Sequence, residues 1–346
     1  MTVAAPRRWF QWVLSPVPLS IVVGLVLGAI TMAVTGNDPV EVYTEIVRGA
    51  LVGPNLIYTI GWSAPLVGMT MAVALPLRGG LVNLGGDGQL VLGGLVSVIV
   101  ALNMPGPGIV KLIAALIAGI MAGGLYAMLA AWGEVRWRVP MLISTLLLNY
   151  PAKNFASYLV NFPMRDPANG MPESHMVEVG ARLPGIPGTP LSSSVLLMVI
   201  AVVAIILFDR RTVAGYELRM RGLNARFAGY GGVNLDRQAL LIMFSGGAMA
   251  GLVGASIVLG EQFRFTDYAL VSPNYTWTGL MAALLANGEP LSAAIAAVFF
   301  AALQIGGFGM ERATSIPREL TSVLQAIIIL LLASRAGLRR RLRLGV

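Results

Sequence analysis

The chain has 346 residues, of which 56% are hydrophobic and only 12% are charged. Soluble domains carry about 25% charged residues, so this composition indicates a membrane protein. Cysteine is absent and His175 is the only histidine, which excludes disulfides, thiol catalysis, cysteine-bound metals and clusters of histidine ligands. We therefore expect no metal and no cofactor.

The apolar residues form runs of about 20, the length that a helix needs to cross a hydrocarbon core. The 41 glycines lie partly inside these runs, as suits close helix packing in lipid. We predict an all-α, polytopic membrane protein in which residues 1–346 form one transmembrane domain of about ten helices. The predicted spans are 18–35, 55–76, 84–102, 112–132, 140–160, 193–208, 238–259, 273–287, 291–308 and 320–334.

The positive charges predict the orientation of these spans. With a cytoplasmic N-terminus, sixteen of the 24 Lys and Arg residues fall inside and seven outside, with Lys153 in a span. Because cytoplasmic loops are enriched in Lys and Arg, both termini are predicted to be cytoplasmic. The basic stretches are expected to anchor on anionic lipid, and no nucleic-acid binding is expected.

Two segments between spans are long. Residues 161–192 contain six prolines, which predicts an extracytoplasmic loop without a regular helix. Residues 209–237 are predicted to be cytoplasmic. Within them, Tyr216, Met220, Leu223 and Phe227 recur at helical spacing and predict one amphipathic helix over 214–232. That helix either docks in a groove of a partner or lies on the inner leaflet.

Polar residues also occur where two spans meet and inside one span. Asn83, Asp87 and Gln89 lie among glycines between spans two and three, and Asn149, Tyr150 and Lys153 lie in span five. A charge at mid-membrane costs about 2.5–3.5 kcal/mol, so Asp87 should face protein or water. The polar residues either line a transport pathway or serve only as turns and interhelical hydrogen bonds. The candidate pathway residues are Asn83, Asp87, Gln89, Asn149, Tyr150, Trp277 and Gln304.

Neither of the two lysines, Lys111 and Lys153, ends a Walker-type phosphate-binding loop. Energy for transport must therefore come from a partner or an ion gradient. An ion-driven transporter needs membrane-embedded carboxylates, and Asp87 is the only acidic residue clearly near a span interior. A membrane enzyme needs paired catalytic groups, which the scattered carboxylates do not suggest. Both classes remain less favoured alternatives.

Residues 82–89, Val-Asn-Leu-Gly-Gly-Asp-Gly-Gln, resemble the Asn-x-Gly-x-(Glu/Asp)-Gly-Gln signature of ABC importer permeases, especially the branched-chain amino acid/ribose/nucleoside permease family. Residues 215–230 resemble the cytoplasmic coupling segment of that family. Residues 245–255 and 279–290 also fit. The signature departs from the family in having Gly86-Asp87 where a small residue and Glu are commoner, which keeps the charge and shortens its reach.

The resemblance is greatest to the nucleoside type and implies a bacterial inner-membrane importer subunit, without enzymatic activity, for a neutral polar solute. Nucleosides are the first expectation and ribose-type sugars the alternative. The implied partners are a cytoplasmic ATP-binding subunit, a second related permease and an extracytoplasmic substrate-binding lipoprotein. Spans 2–5 and 7–10 would form an inverted repeat. The implied ATPase contacts are Tyr216, Glu217, Arg219, Met220, Arg221, Leu223, Asn224 and Phe227.

Overall fold

A computed structural model describes residues 16–34, 36–168, 170–314, 316–323 and 325–327. Within these ranges the chain is predominantly helical and has no β-strand. The α-helices are α1 (Pro16–Val34), α2 (Pro39–Leu51), α3 (Asn55–Arg78), α4 (Gly86–Asn103), α5 (Gly108–Trp137), α6 (Met141–Asn161), α7 (Ser194–Arg211), α8 (Val213–Leu223), α9 (Ala225–Tyr230), α10 (Leu235–Ile257), α11 (Tyr275–Leu285) and α12 (Pro290–Ala313).

Five of the described helices are long and apolar enough to cross a membrane: α3, α4, α5, α10 with its π-helical extension to Gln262, and α12. Residues 23–34 of α1 together with α2, bent by 120°, would make a sixth if they form one span. The prediction of an all-α polytopic membrane protein is confirmed, and the count of ten spans stays a prediction. Most of the predicted span 320–334 and the basic ends of the chain lie outside the described residues.

Helix α11 is shorter than the predicted span 273–287. Its 11 residues reach about 16 Å, roughly half of a hydrocarbon core.

Helix α2 was not predicted at all. It begins after Asp38, whose side chain accepts a hydrogen bond from the amide of Val40, and it buries Val42, Ile46, Gly49 and Ala50 along one face.

The chain divides into two compact units. One contains α1, α2 and the chain from Phe299 onwards. In it, α2 packs against α12 through glycines, and a Cβ added at Gly49 would lie 2.7 Å from the Cα of Gly309. The other unit covers Ile60–Val298 and contains the helices α4 to α11.

The centre of the larger unit is a crossing of α4, α5 and α10, whose backbones touch at glycines. Gly93 of α4 and Gly119 and Gly123 of α5 all face Gly251 of α10. A Cβ added at Gly123 would lie 2.8 Å from the Cα of Gly251, which leaves no room for any side chain. In lipid, where apolar surface alone does not drive helices together, such close backbone contact provides the packing energy.

We expect Gly123→Ala to destabilise the subunit because its new methyl group meets backbone atoms that cannot move aside. Overpacking of this kind costs about 1–3 kcal/mol. Thermal unfolding in detergent should show a lower midpoint. Gly133→Ala is the matched control in the same helix, because a Cβ there meets nothing within 4 Å. Equal melting temperatures for the two variants would contradict the proposed crossing.

Candidate functional site

The first candidate site is the segment that joins α3 to α4. The chain turns after Arg78 at Gly80, which has a left-handed φ of +74°, and runs without helical structure through residues 81–85 to Gly86. Helix α6 lies alongside this segment. A non-helical backbone inside a membrane protein needs partners for its N–H and C=O groups, since lipid supplies none.

Two polar side chains of α6, Thr145 and Asn149, supply these partners. The Thr145 hydroxyl accepts a hydrogen bond from the amide of Leu84 at 3.2 Å. The Asn149 side chain accepts from the amide of Gly88 and donates to the carbonyl of Leu84, both at 2.8 Å. Thr145, Asn149 and Lys153 lie about 6, 12 and 18 Å along the helix from its first residue, so the segment extends deep along α6.

Asn83 and Gln89 close the turn on themselves. Each side-chain amide donates to the other at 2.9 Å, and Asn83 also accepts from the amide of Gly85 at 3.0 Å. Both side chains are buried. As solute contacts Asn83, Gln89 and Asn149 stay predictions; in the described structure their polar atoms hold the turn.

Asp87 lies in the first turn of α4 and is buried. Its carboxylate is 3.6 Å from the ammonium of Lys153, which also lies over the ring of Tyr150. Beside it, the buried hydroxyl of Thr276 has no hydrogen-bond partner and lies against Gly86. Burying two charges costs desolvation energy, which their attraction offsets only when the geometry is good and further hydrogen bonds satisfy both groups. The Asp87–Lys153 pair is the charged part of this segment. Sequence reasoning did not identify Thr276.

The remaining predicted pathway residues are Tyr150, which lies against Lys153, Trp277, which follows Thr276, and Gln304. Tyr150, next to Asn149 in α6, and Trp277 in α11 are exposed on the subunit. Gln304 is half-buried in α12 and belongs to the other compact unit. The structure thus brings Asn83, Asp87, Gln89 and Asn149 into one cluster, with Lys153 as an additional member.

Among its described residues, which exclude residue 169, the proline-rich segment 161–192 has a short 3-10 turn, Val179–Ala181, and no other helix beyond the end of α6. It is nevertheless well ordered against the chain that follows α10. The amides of Ser174, Val177 and Leu183 donate to carbonyls of Phe265, Phe263 and Leu259 at 2.8–2.9 Å. The ion pair of Glu173 with Arg264 adds to this contact, and the ion pair of Glu178 with Lys111 joins the segment to α5.

The second candidate site is the segment 209–237, and here the predicted single helix over 214–232 is wrong. The structure has two short helices, α8 and α9, separated by Asn224 in an extended conformation. The Asn224 side chain accepts a hydrogen bond from the amide of Phe227 at 3.1 Å and so starts α9. Asparagine favours such caps over helix interiors, which is why the periodic pattern failed at this residue.

The two helices present apolar side chains away from the subunit. Leu223 is 84% exposed and Tyr230 is 91% exposed, and the side chains of Tyr216 and Phe227 are also mainly exposed. We call these four residues the docking surface. Leu218, which was not part of the predicted stripe, instead holds α8 in a core with Leu75, Met243 and neighbouring residues.

Three of the predicted contact residues face the subunit itself, at least in part. Met220 is half-buried. Arg219 pairs with Asp209 of α7 at 3.3 Å. Arg221 lies near Glu134 and Asp236; desolvation lowers the pKa of its guanidinium and the two carboxylates oppose that change. Glu217 is half-buried and Asn224 is exposed at the break between the helices.

Several span-length apolar helices that pack around a polar, non-helical segment are typical of a multi-pass membrane protein. The family of the permease component of branched-chain amino acid transport systems matches residues 55–333, most of the chain. The chain belongs to this permease family, as the resemblance of its sequence implied.

Several relatives align over nearly the whole chain. The glucose ABC transporter permease protein TsgB13 of Haloferax volcanii is 32% identical over 99% of this chain and 93% of its own. The guanosine ABC transporter permease protein NupP of Bacillus subtilis is 29% identical over 93% and 94%. The nucleoside ABC transporter permease protein NupB of Lactococcus lactis is 27% identical over 92% and 90%.

We expect Asn149→Ala to destabilise the subunit, because it leaves the Gly88 amide and the Leu84 carbonyl buried without partners. Each such group costs about 1–3 kcal/mol. The measurement is thermal unfolding in detergent. Ser144→Ala is the matched control, since the Ser144 hydroxyl bonds only to the carbonyl of Met141 within its own helix. Unchanged stability of Asn149→Ala would show that Asn149 does not hold the segment.

Proposed function

We propose that this chain is the permease subunit of an ATP-driven importer whose solute is a nucleoside. The observation that supports it most is the likeness, over more than 90% of the chain, to permeases named for guanosine and for nucleosides. A nucleoside is neutral, with an aromatic base and a hydroxylated sugar. Exposed aromatic side chains such as Tyr150 and Trp277 offer stacking faces for such a base.

A sugar is the second candidate solute. The relative named for glucose is 32% identical to this chain, which is more than either nucleoside permease. A sugar and the ribose of a nucleoside need the same hydroxyl partners, so polar side chains alone do not separate the two. The signature at residues 82–89 and the long segment 161–192, which resemble the nucleoside type, favour the nucleoside.

The pathway is proposed to pass the polar cluster at the start of α4. Asp87 and Lys153 are its charged groups and neutralise each other, which suits a solute without net charge. The turn closed by Asn83 and Gln89, with Asn149, fixes their position. Gln304 is kept as a proposed lining residue. The chain itself is proposed to have no enzymatic activity, and hydrolysis of ATP is left to a partner.

The proposed partner on the cytoplasmic side is an ATP-binding subunit, which would receive the docking surface in a cleft. Exposed apolar side chains on short helices are typical of helix-in-groove recognition. This rests on the predicted orientation, with both termini and residues 209–237 inside and residues 161–192 outside. A second related permease and an extracytoplasmic lipoprotein that delivers the solute complete the proposed assembly in a bacterial inner membrane. The inverted repeat of spans 2–5 and 7–10 stays a prediction.

Transport then follows from a shift between two access states. Closure of the ATP-binding subunits displaces the docking surfaces and favours one state, and hydrolysis returns the other. The energy of the shift comes only from the difference in contacts between the two states.

Deletion of this chain should abolish uptake of radiolabelled guanosine and leave glucose uptake unchanged. Restoring the parent chain should restore guanosine uptake. The measurement is initial uptake in cells without another nucleoside transporter. Loss of glucose uptake with normal guanosine uptake would move the proposal to sugars.

Leu223→Asp should prevent docking, because the new carboxylate would lose its water in an apolar contact. Desolvation of an unpaired charge costs on the order of several kcal/mol. Since Leu223 is almost fully exposed, the subunit itself should fold normally. Leu223→Met, which keeps an apolar side chain, is the matched control. Co-purification with the ATP-binding subunit and guanosine transport should fail together in the first variant and persist in the second. Normal transport by Leu223→Asp would make α8 and α9 surface helices without a coupling role.

A further inference from the structure

Helix α8 is fixed to its own subunit at both ends and in the middle. At the start, a Cβ added to Gly215 would lie 2.8 Å from the Cα of Asp209. At the end, a Cβ added to Gly222 would meet the carbonyl of Arg78, and a Cβ added to Gly80 would lie 3.3 Å from the Cα of Gly222. Between them, Leu218 is buried in the core. Backbones in such contact move together, because neither can slide without a clash.

One carboxylate joins the helices at this place. The Asp209 side chain, in the last turns of α7, is 3% exposed. The Nε of Arg78, at the end of α3, is 3.5 Å from its Oδ1, and the Nη1 of Arg219, in α8, is 3.3 Å from the same oxygen. A buried carboxylate is stable only with its cations in place, so α3, α7 and α8 share one electrostatic junction.

The chain beyond Arg78 leads directly to the first candidate site. Asn83 is five residues on, and hydrogen bonds fix the turn between them: the amides of Gly80 and Leu81 donate to carbonyls in the last turn of α3, and the amide of Gly85 donates to the Asn83 side chain. That segment is held in turn by Thr145 and Asn149 of α6. A displacement of Arg78 is therefore expected to displace the start of α4 and the pair of Asp87 and Lys153.

We infer that Asp209 is a positioning residue that makes α8 and the end of α3 move as one body, so that displacement of the docking surface reaches the segment 79–88. This inference rests on the proposed function, since it is the ATP-binding partner that would displace α8. It differs from a merely structural role, because a structural role predicts a loss of stability without a change in the coupling between ATP hydrolysis and transport.

The test uses the whole complex, with ATP-binding subunit and delivery protein, in proteoliposomes with guanosine as solute. Asp209→Asn should assemble through the intact docking surface and should still hydrolyse ATP. The guanosine transported per ATP should fall by about tenfold, as expected when a coupling element is lost. Glu45→Gln is the control, because it removes an exposed ion pair with Arg48 in α2 and should keep the parent ratio.

A second variant applies if Asp209→Asn does not fold. Arg219→Gln releases only α8 and leaves Asp209 paired with Arg78, so the carboxylate keeps a partner. It should also lower the ratio of guanosine to ATP. If Arg219→Gln, or a folded Asp209→Asn, transports as much guanosine per ATP as the parent protein, the inference is overturned.

A distance measurement separates this inference from the proposed function. The sequence has no cysteine, so spin labels at Ala214→Cys and Val82→Cys report only on α8 and the segment. The distribution of distances between the two labels should be narrow and independent of ATP in the parent, and broad in Asp209→Asn. If the parent neither transports guanosine nor binds the ATP-binding subunit, the proposed function fails, and the labels on the permease alone still decide the role of Asp209. An equally narrow distance in both proteins would overturn the inference.

Discussion

The architecture depends on one constraint: the backbone between α3 and α4 leaves the helical form inside a protein that lipid surrounds. Each N–H and C=O group there must find a protein partner. Thr145 and Asn149 of α6 supply them, and Asn83 and Gln89 close the remaining turn. Because these partners lie on successive turns of one helix, the segment can be held only in one register along α6.

Glycine contacts give the frame around this segment its rigidity. Gly123 and Gly251 bring α5 and α10 into backbone contact, and Gly215 and Gly222 do the same for α8 at its two ends. Contacts of this kind leave no space for gradual adjustment. A force applied to α8 is therefore expected to displace α8 together with the backbone that it contacts.

The buried charges lie at junctions between elements. Asp87 and Lys153 join the start of α4 to α6, and Asp209 joins α7 to Arg78 and Arg219. Each pair carries a desolvation cost that a pair of apolar residues would avoid. In return, the charges define the position of the helices. An apolar contact tolerates a small shift of a helix, whereas a carboxylate beside a fixed cation does not.

The sequence by itself determined the class of protein and most of the helices, because the length of an apolar run and its glycines depend only on local composition. It also identified the polar motif at residues 82–89 and three of the four residues of the docking surface, all except Tyr230. It missed α2, whose buried positions do recur at helical spacing, because Glu41, Glu45 and Arg48 break the long apolar run by which the spans were recognised. It also extended one helix through Asn224, where a helix cap outweighs periodicity.

Only the tertiary structure decided what the polar residues contact. The amide of Gly88 meets Asn149, 61 residues away, and Arg78 meets Asp209, 131 residues away. The turn of Arg219 towards Asp209, away from the docking surface, has the same origin. Spacing along a chain fixes which side chains share a helix face, but it does not fix which other helix lies against that face, since that depends on how all the helices pack at once.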